Sequence, residues 1–325
     1  MNIILADRVI SVEYRDKRFA DFFARWETEK TDSELTVITD EEKIAAERVF
    51  NIKDDFYPES SAILRSIAEW LPLNNSFLLH SAVFEVNGSG IALAAHSGTG
   101  KTTHMLLWQK LLGDKLKIVN GDKPIIRFFE NEPETPYAYG TPWNGKEHFG
   151  NAERTPLRHL CFVERADVNS CERVTAAEIT NRVLSQVYMP HSAQAAANTL
   201  TLINRLVSSV KLWKIKCNTD ISAAQTAYNA IFKGEEKMKL KYNFVMNKVA
   251  DKTVAVAVGD DLANFGGFIK MNDTGAFIFG LLKKDITKEE IINAVMNEYE
   301  GVTKPEAEAS VSEFLDQLKQ SDVIE

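Results

Sequence analysis

Residues 91–103 read Ile-Ala-Leu-Ala-Ala-His-Ser-Gly-Thr-Gly-Lys-Thr-Thr. An apolar strand runs into a glycine-rich turn, then Lys101 and Thr102, then an apolar helical run. A phosphate-binding loop requires that order. Amide groups of the turn and of the helix N-terminus converge on phosphate oxygens. Lys101 then places its ammonium on the β- and γ-phosphates, and the Thr102 hydroxyl binds Mg²⁺. Ser97, Gly98, Thr99, Gly100 and Thr103 complete the cradle. The segment predicts a strand–loop–helix unit that takes ATP with Mg²⁺. It departs from the pattern G-x-x-x-x-G-K-[ST] at Ala95, where glycine is expected. Alanine resists positive φ, so the loop is not expected to begin left-handed.

The flanking residues supply candidate chemistry. Strands at 82–86 and 91–95 bracket Asn87-Gly88-Ser89-Gly90, a hairpin signal. Pairing Val86 with Ile91 sets His80 opposite Ser97, beside the loop. A histidine there can take a hydroxyl proton near neutral pH. A strand at 116–120 ends in Gly121-Asp122. A carboxylate at the end of a strand next to a phosphate-loop strand is placed to hold Mg²⁺. His80 and Asp122 both remain candidates for the base. A proline-rich loop through Pro133, Pro136 and Pro142 carries Trp143 and Lys146. Lys146 is a candidate phosphate or substrate contact. Trp143 is either a stacking surface or a loop anchor.

Elements alternate over the first two-thirds of the chain. A strand is expected at 2–13 and an amphipathic helix at 17–29, with Phe19, Phe22, Phe23 and Trp26 on one face. A strand follows at 35–39, and Asp40 caps the next helix. A helix opened by Pro58 carries Ile63, Leu64, Ile67 and Trp70. Beyond the loop come strands at 125–129, 157–163 and 211–216, and helices at 176–187, 193–210 and 221–232. This alternation indicates an α/β domain. A polar break at 234–237 changes the pattern. Strands at 242–248, 253–259 and 268–271 precede helices at 273–283, 288–299 and 304–320, a small α+β, winged-helix-like module. The expected organisation is 1–75 packed on the core, a phosphate-loop domain at 76–235 and the module at 238–325.

Composition excludes some partners. With 38 basic and 46 acidic residues the net charge is −8, which disfavours nucleic acid. Glu306, Glu308, Glu313 and Asp316 make the last helix repel phosphates, so a DNA-binding winged helix is not expected. No apolar run approaches the ~20 residues of a membrane span. Cys161, Cys171 and Cys217 are odd in number and lack metal spacing, as expected of reduced thiols. No signal segment is visible before Asn2, so a cytoplasmic location is expected. A homo-oligomer is left open.

Two resemblances follow from these residues. His80-Ser81, the hairpin, the 97–102 loop and Asn120-Gly121-Asp122-Lys123-Pro124 resemble the HPr kinase/phosphorylase catalytic domain. That domain shares its phosphate-loop fold with ATP-dependent phosphoenolpyruvate carboxykinase. Thr141-Pro142-Trp143-Asn144-Gly145-Lys146 looks like a kinase-like branch associated with modified-peptide gene clusters. The family usually has histidine–glycine where this chain has His80-Ser81, and two aspartates where it has Gly121-Asp122. Residues 238–325 resemble the coenzyme PQQ synthesis protein D family. Val249-Ala250-Asp251, Gly266, Ile269-Lys270-Met271-Asn272, Thr274-Gly275-Ala276 and Phe314-Leu315 carry that likeness. That resemblance implies a leader peptide added at the edge of Phe268, Ile269, Lys270 and Met271 and packed on the last helix. Together they imply a kinase for Ser or Thr hydroxyls of a ribosomally made precursor peptide. Nucleotidyl transfer and a degenerate nucleotide-binding chaperone stand as alternatives.

Overall fold

The computed structural model describes residues 1–48, 54–96, 98–233, 237–263 and 265–325. Ser97 and residues 234–236 of the expected break at 234–237 lie outside the described residues. The chain divides into two compact units, Met1–Ala227 and Tyr228–Glu325.

The first unit starts with a layer of its own. The expected strand at 2–13 is a hairpin of β1 (Asn2–Leu5) and β2 (Arg8–Glu13). Ala6 and Asp7 both take positive φ and turn it. The expected long helix shortens to α1 (Phe19–Phe23) and a 3₁₀ turn, Ala24–Trp26. Its aromatic residues still form core, with Phe19 4.6 Å from Phe56 between ring centroids. β3 (Leu35–Ile38) joins β2 in parallel. In α2 (Glu41–Glu47), Asp40 caps by accepting from the Lys43 amide. α3 (Phe56–Trp70) carries Glu59, buried at 1% exposure. Its carboxylate accepts from the amides of Arg15 and Asp16 and from the Thr39 hydroxyl. A buried carboxylate with three donors is satisfied, and here it ties α3 to the hairpin layer.

The main sheet has nine strands. They are β4 (Ser76–Leu78), β5 (Ser81–Val86), β6 (Ser89–Ala94), β7 (Leu116–Asn120), β8 (Ile125–Phe128), β9 (Pro136–Tyr139), β10 (Arg154–Arg165), β11 (Ser170–Arg173) and β12 (Lys211–Cys217). The path runs β4-β8-β9-β10-β6-β5-β7, and β12 pairs with β10 and β11. β10 lies parallel to both β6 and β12. α4 (Lys101–Leu112), α5 (Ala176–Leu184), α6 (Ala193–Ser209) and α7 (Ile221–Tyr228) complete the unit. The proline-rich segment is not all loop, because Pro136–Tyr139 pairs with β8 and β10. Its first residue is proline, where a missing amide is tolerated.

His159 on β10 is 4% exposed and receives the Trp213 indole N–H at 3.2 Å. Burial, helped by the Lys211, Arg173 and Arg158 charges, pushes its imidazole down to about 3 from 6.5. The unfolded chain therefore takes up the proton first. The stability is full above 6.5 and is lost as pH falls toward 3. Between pH 7 and 5 this one group is expected to lower unfolding free energy by about 2 kcal/mol. Urea titrations at the two values, repeated on His159→Gln, check it; an unchanged slope in the variant refutes the assignment.

The second unit has its own core around Phe279, Ile291 and Val311. β14 (Phe244–Val249), β15 (Lys252–Ala257) and β16 (Phe268–Met271) form an antiparallel sheet, preceded by the short β13 (Lys237–Met238). α8 (Asp273–Leu281), the short β17 (Ile286–Thr287), α9 (Lys288–Glu298) and α10 (Lys304–Gln320) follow. Asn272 caps α8, and Thr287–Glu290 and Thr303–Glu306 form capping boxes on α9 and α10.

Candidate functional site

Strand directions bring the site together. β6 ends in the glycine loop, and β5 runs antiparallel to it, so the residue before β5 lies at the same end. β7 runs antiparallel to β5 and ends there too, at Asn120. His80, the loop and Asp122 therefore converge at one end of the sheet.

The hairpin is tighter than the sequence implied. Val86 pairs with Ser89, not Ile91, and Ser81 pairs with Ala94. Asn87 and Gly88 have φ of 52° and 73°, which makes a two-residue turn. The shift is two residues, so side chains keep their faces and His80 still reaches the site. In the loop, Gly98 and Gly100 have φ of 78° and 117°. Ala95 is not among the positive-φ residues.

Lys101 is 8% exposed. Its ammonium donates to the Ala95 carbonyl at 2.9 Å and lies 3.2 Å from His80 Nε2. Burial pulls its pKa below the ordinary lysine value despite the attraction of Asp122. His80 Nε2 also lies 3.1 Å from Asp122 Oδ1. Unprotonated, that nitrogen accepts from Lys101; protonated, it donates to Asp122. Burial alone would raise the Asp122 carboxyl. The His80 hydrogen bond and Lys123, 3.2 Å from Oδ2, outweigh it and hold the group below its usual value. Asp122 is thus anionic at neutral pH, and Thr102 follows Lys101 at the start of α4.

Several positioning residues escaped the sequence reading. Asn120 is fully buried. Its Oδ1 accepts from the Asp122 and Lys123 amides at 2.9 and 2.7 Å, and its Nδ2 donates to Thr141. An asparagine bonding forward to its own turn is a known local signal. Arg165, at the end of β10, donates to the Gly98 and Thr99 carbonyls. Nothing in a single sequence places an arginine 66 residues away against the loop. Arg127 and Arg154 hold Ala6 and Asp7 in the hairpin turn.

Trp143 packs edge-on against Phe22 and Phe23 and donates to the Ser60 hydroxyl at 2.9 Å. Its ring anchors the loop to the N-terminal layer and is not presented as a stacking platform. Lys146 is exposed in that loop. Gly121 stands where the resembling family has a first aspartate. A Cβ there would lie 2.4 Å from the Asn144 carbonyl oxygen and 3.2 Å from that of Phe149. The 143–149 segment closes over the turn and leaves no room for a side chain. Gly121→Asp is expected to cost about 1–3 kcal/mol by overpacking. That corresponds to a drop of roughly 2–10 °C in Tm for a unit of this size. An unchanged Tm would show that the loop is free to move away.

Two cavities open at the site. One, about 570 Å³, lies between the loop at Gly98 and Thr99 and the Phe162–Arg165 end of β10. The other, about 340 Å³, is lined by His80, Lys123 and residues of α3. Ser185 and Gln186 line both. Among the described residues no cluster of three metal-ligating side chains occurs. The donors present are one hydroxyl and one carboxylate. That set suits Mg²⁺, which takes its remaining ligands from phosphate and water.

In the second unit, β16 pairs only with β15 among the described residues, so its outer edge is open. Ile269 and Met271 pack on the core; Phe268 and Lys270 are exposed.

The family model for coenzyme PQQ synthesis protein D (PqqD) matches residues 252–324. Those residues are a PqqD domain. No curated protein matches the chain. Among solved structures, TbiB1 in complex with the TbiA(beta) leader peptide is 25% identical. That alignment covers 27% of this chain and 94% of TbiB1, with a TM-score of 0.22. The Hpr(Ser) kinase/phosphatase from Coxiella burnetii is 7% identical over 47% of this chain and 95% of its own, with a TM-score of 0.28. No helix among the described residues is long and apolar enough to cross a membrane.

Proposed function

We propose that the chain is an ATP-dependent kinase of a precursor peptide whose leader is held by the PqqD domain. The observation that carries the reading is the Lys101–His80–Asp122 cluster at the mouth of a glycine loop. Loop amides, Lys101 and the N-terminus of α4 would hold the triphosphate; Thr102 and Asp122 would hold Mg²⁺, which when bound would supply positive charge to the phosphates. His80 takes the proton of an acceptor Ser or Thr hydroxyl at Nε2, and Asp122 stabilises the imidazolium that results. Phosphoryl transfer needs little covalent help from protein, so positioning and electrostatics supply most of the effect. The two sequence departures do not argue for a dead site. Ala95 sits where no positive φ is needed, and Gly121 is required by the loop above it. In the winged-helix-like second unit, a leader strand adds to the open edge at Phe268, Ile269, Lys270 and Met271.

The test is product analysis with MgATP and candidate precursor peptides that bind the PqqD domain. ADP and a peptide heavier by one phosphoryl group support the reading. AMP or pyrophosphate would replace it with nucleotidyl transfer. His80→Ala is expected to lower turnover by about 10²–10⁴ with ATP affinity nearly unchanged. Loss of ATP affinity alone would make His80 a phosphate contact.

A further inference from the structure

The 340 Å³ cavity beside His80 is not a general cleft. Its outer wall is α3, through Ser61, Leu64, Arg65 and Ala68, and its inner wall is Leu78, His80 and the 185–188 segment. That segment is fixed in place: the His80 amide donates to the Gln186 carbonyl at 2.7 Å, and Leu79 bridges to Val187. The loop at Gly98 and Thr99 faces the other cavity, across Ser185 and Gln186. In-line transfer needs donor and acceptor on opposite sides of the transferred group. A nucleotide seated on the loop enters from the larger cavity, which leaves the smaller one to the acceptor.

We infer that the cavity between α3 and His80 is the acceptor pocket, and that it takes a hydroxyl residue flanked by an uncharged aliphatic side chain. This rests on the kinase reading above. It gives the N-terminal layer a role in recognition, beyond packing. The chemistry of the walls sets the preference. Leu64, Ala68, Leu78 and Val187 are apolar. The charges present are already matched: Arg65 pairs with Glu47 and lies over the Tyr188 ring, and Lys123 pairs with Asp122. A charged flanking residue would lose water against these apolar side chains and find no free partner charge, which is costly. The volume is at the small end for ligand pockets, so one side chain and its backbone fill it.

Ser61 is exposed on the wall, so Ser61→Trp fills the pocket without touching the core. The full-length protein, with a nonhydrolysable ATP analogue and Mg²⁺ bound, is titrated with two synthetic heptapeptides at up to millimolar concentration. Each carries a central serine, flanked by leucines in one and aspartates in the other. The leucine peptide is expected to bind the wild type at least ~tenfold tighter than the aspartate peptide. Ser61→Trp is expected to lose that binding at least ~tenfold while the affinity for ATP stays unchanged. Phosphorylation is then followed with MgATP. If Ser61→Trp binds and phosphorylates the leucine peptide as wild type does, the pocket is overturned and the kinase stands. Weakened ATP binding in Ser61→Trp would make this the nucleoside pocket and overturn the inference. No binding of either peptide to wild type overturns it as well. Binding that Ser61→Trp abolishes, with no phosphopeptide from wild type, supports the pocket and defeats the kinase reading instead.

Discussion

Lys101→Ala is expected to abolish measurable ATP turnover and to weaken ATP binding by about 10–100-fold. The ammonium is nearly enclosed, lies 3.2 Å from His80 Nε2 and is drawn electrostatically by Asp122. Its bond to the Ala95 carbonyl spans the loop's two ends, so it is pre-placed where phosphate oxygens would sit. A charge-assisted hydrogen bond in such a place is worth about 1.5–3 kcal/mol in the ground state. In the transition state more charge is exposed to the same group, and losing one such donor costs about 10²–10³ in rate. Loop amides remain, so some binding survives while transfer does not. Lys101→Arg is not expected to rescue, because a planar guanidinium cannot occupy a point-charge position between Ala95 O and His80 Nε2. Calorimetry with MgATP and an ADP-release assay measure the two effects. Wild-type affinity and hydrolysis in Lys101→Ala would remove the phosphate-loop reading altogether.

What the sequence showed of this site was local, and what it hid was long-range. The strand–glycine–lysine–helix order names its own chemistry within thirteen residues, and the Asp122 strand end is equally local. The hairpin register was misplaced by two because Asn87-Gly88 turns alone, with Ser89 and Gly90 already in the strand. The expected helix at 17–29 broke because its aromatic residues answer to Phe56 and Trp143, distant in sequence. Trp143 followed the same logic: its motif position left stacking and anchoring open, and the N-terminal layer took the ring as an anchor. Arg165 and Gln186 belong to the site only through parallel pairing of β10 with β6 and the bond from His80 to Gln186. Neither contact has a sequence period that could reveal it. Capping in the second unit, by contrast, is a local relation, because Thr287 and its partner Glu290 lie three residues apart.

A chain ending at Lys233 is expected to keep ATP binding and to lose efficient peptide phosphorylation. The glycine loop, His80 and Asp122 all lie in Met1–Ala227, which has its own core, and the PqqD domain has another. Holding a leader on a domain of the same chain makes acceptor capture intramolecular, and such tethering typically raises effective concentration enough for a gain of about 10²–10⁴. Shortening should therefore lower kcat/KM for the full precursor by about that factor at low peptide concentration. The loss should shrink at saturating peptide, because the acceptor pocket itself is intact. A precursor lacking its leader should show nearly equal rates with both chains. The separate 237–325 piece is expected to bind the leader through the open edge of β16. A proline within the leader strand should weaken that binding by about 1 kcal/mol or more, since it removes a main-chain donor. Calorimetry of the piece and initial rates of the two chains test the division independently. Equal rates on the full precursor at low concentration would rule out tethering, and the PqqD domain would then act on the peptide in some way other than delivering it to His80.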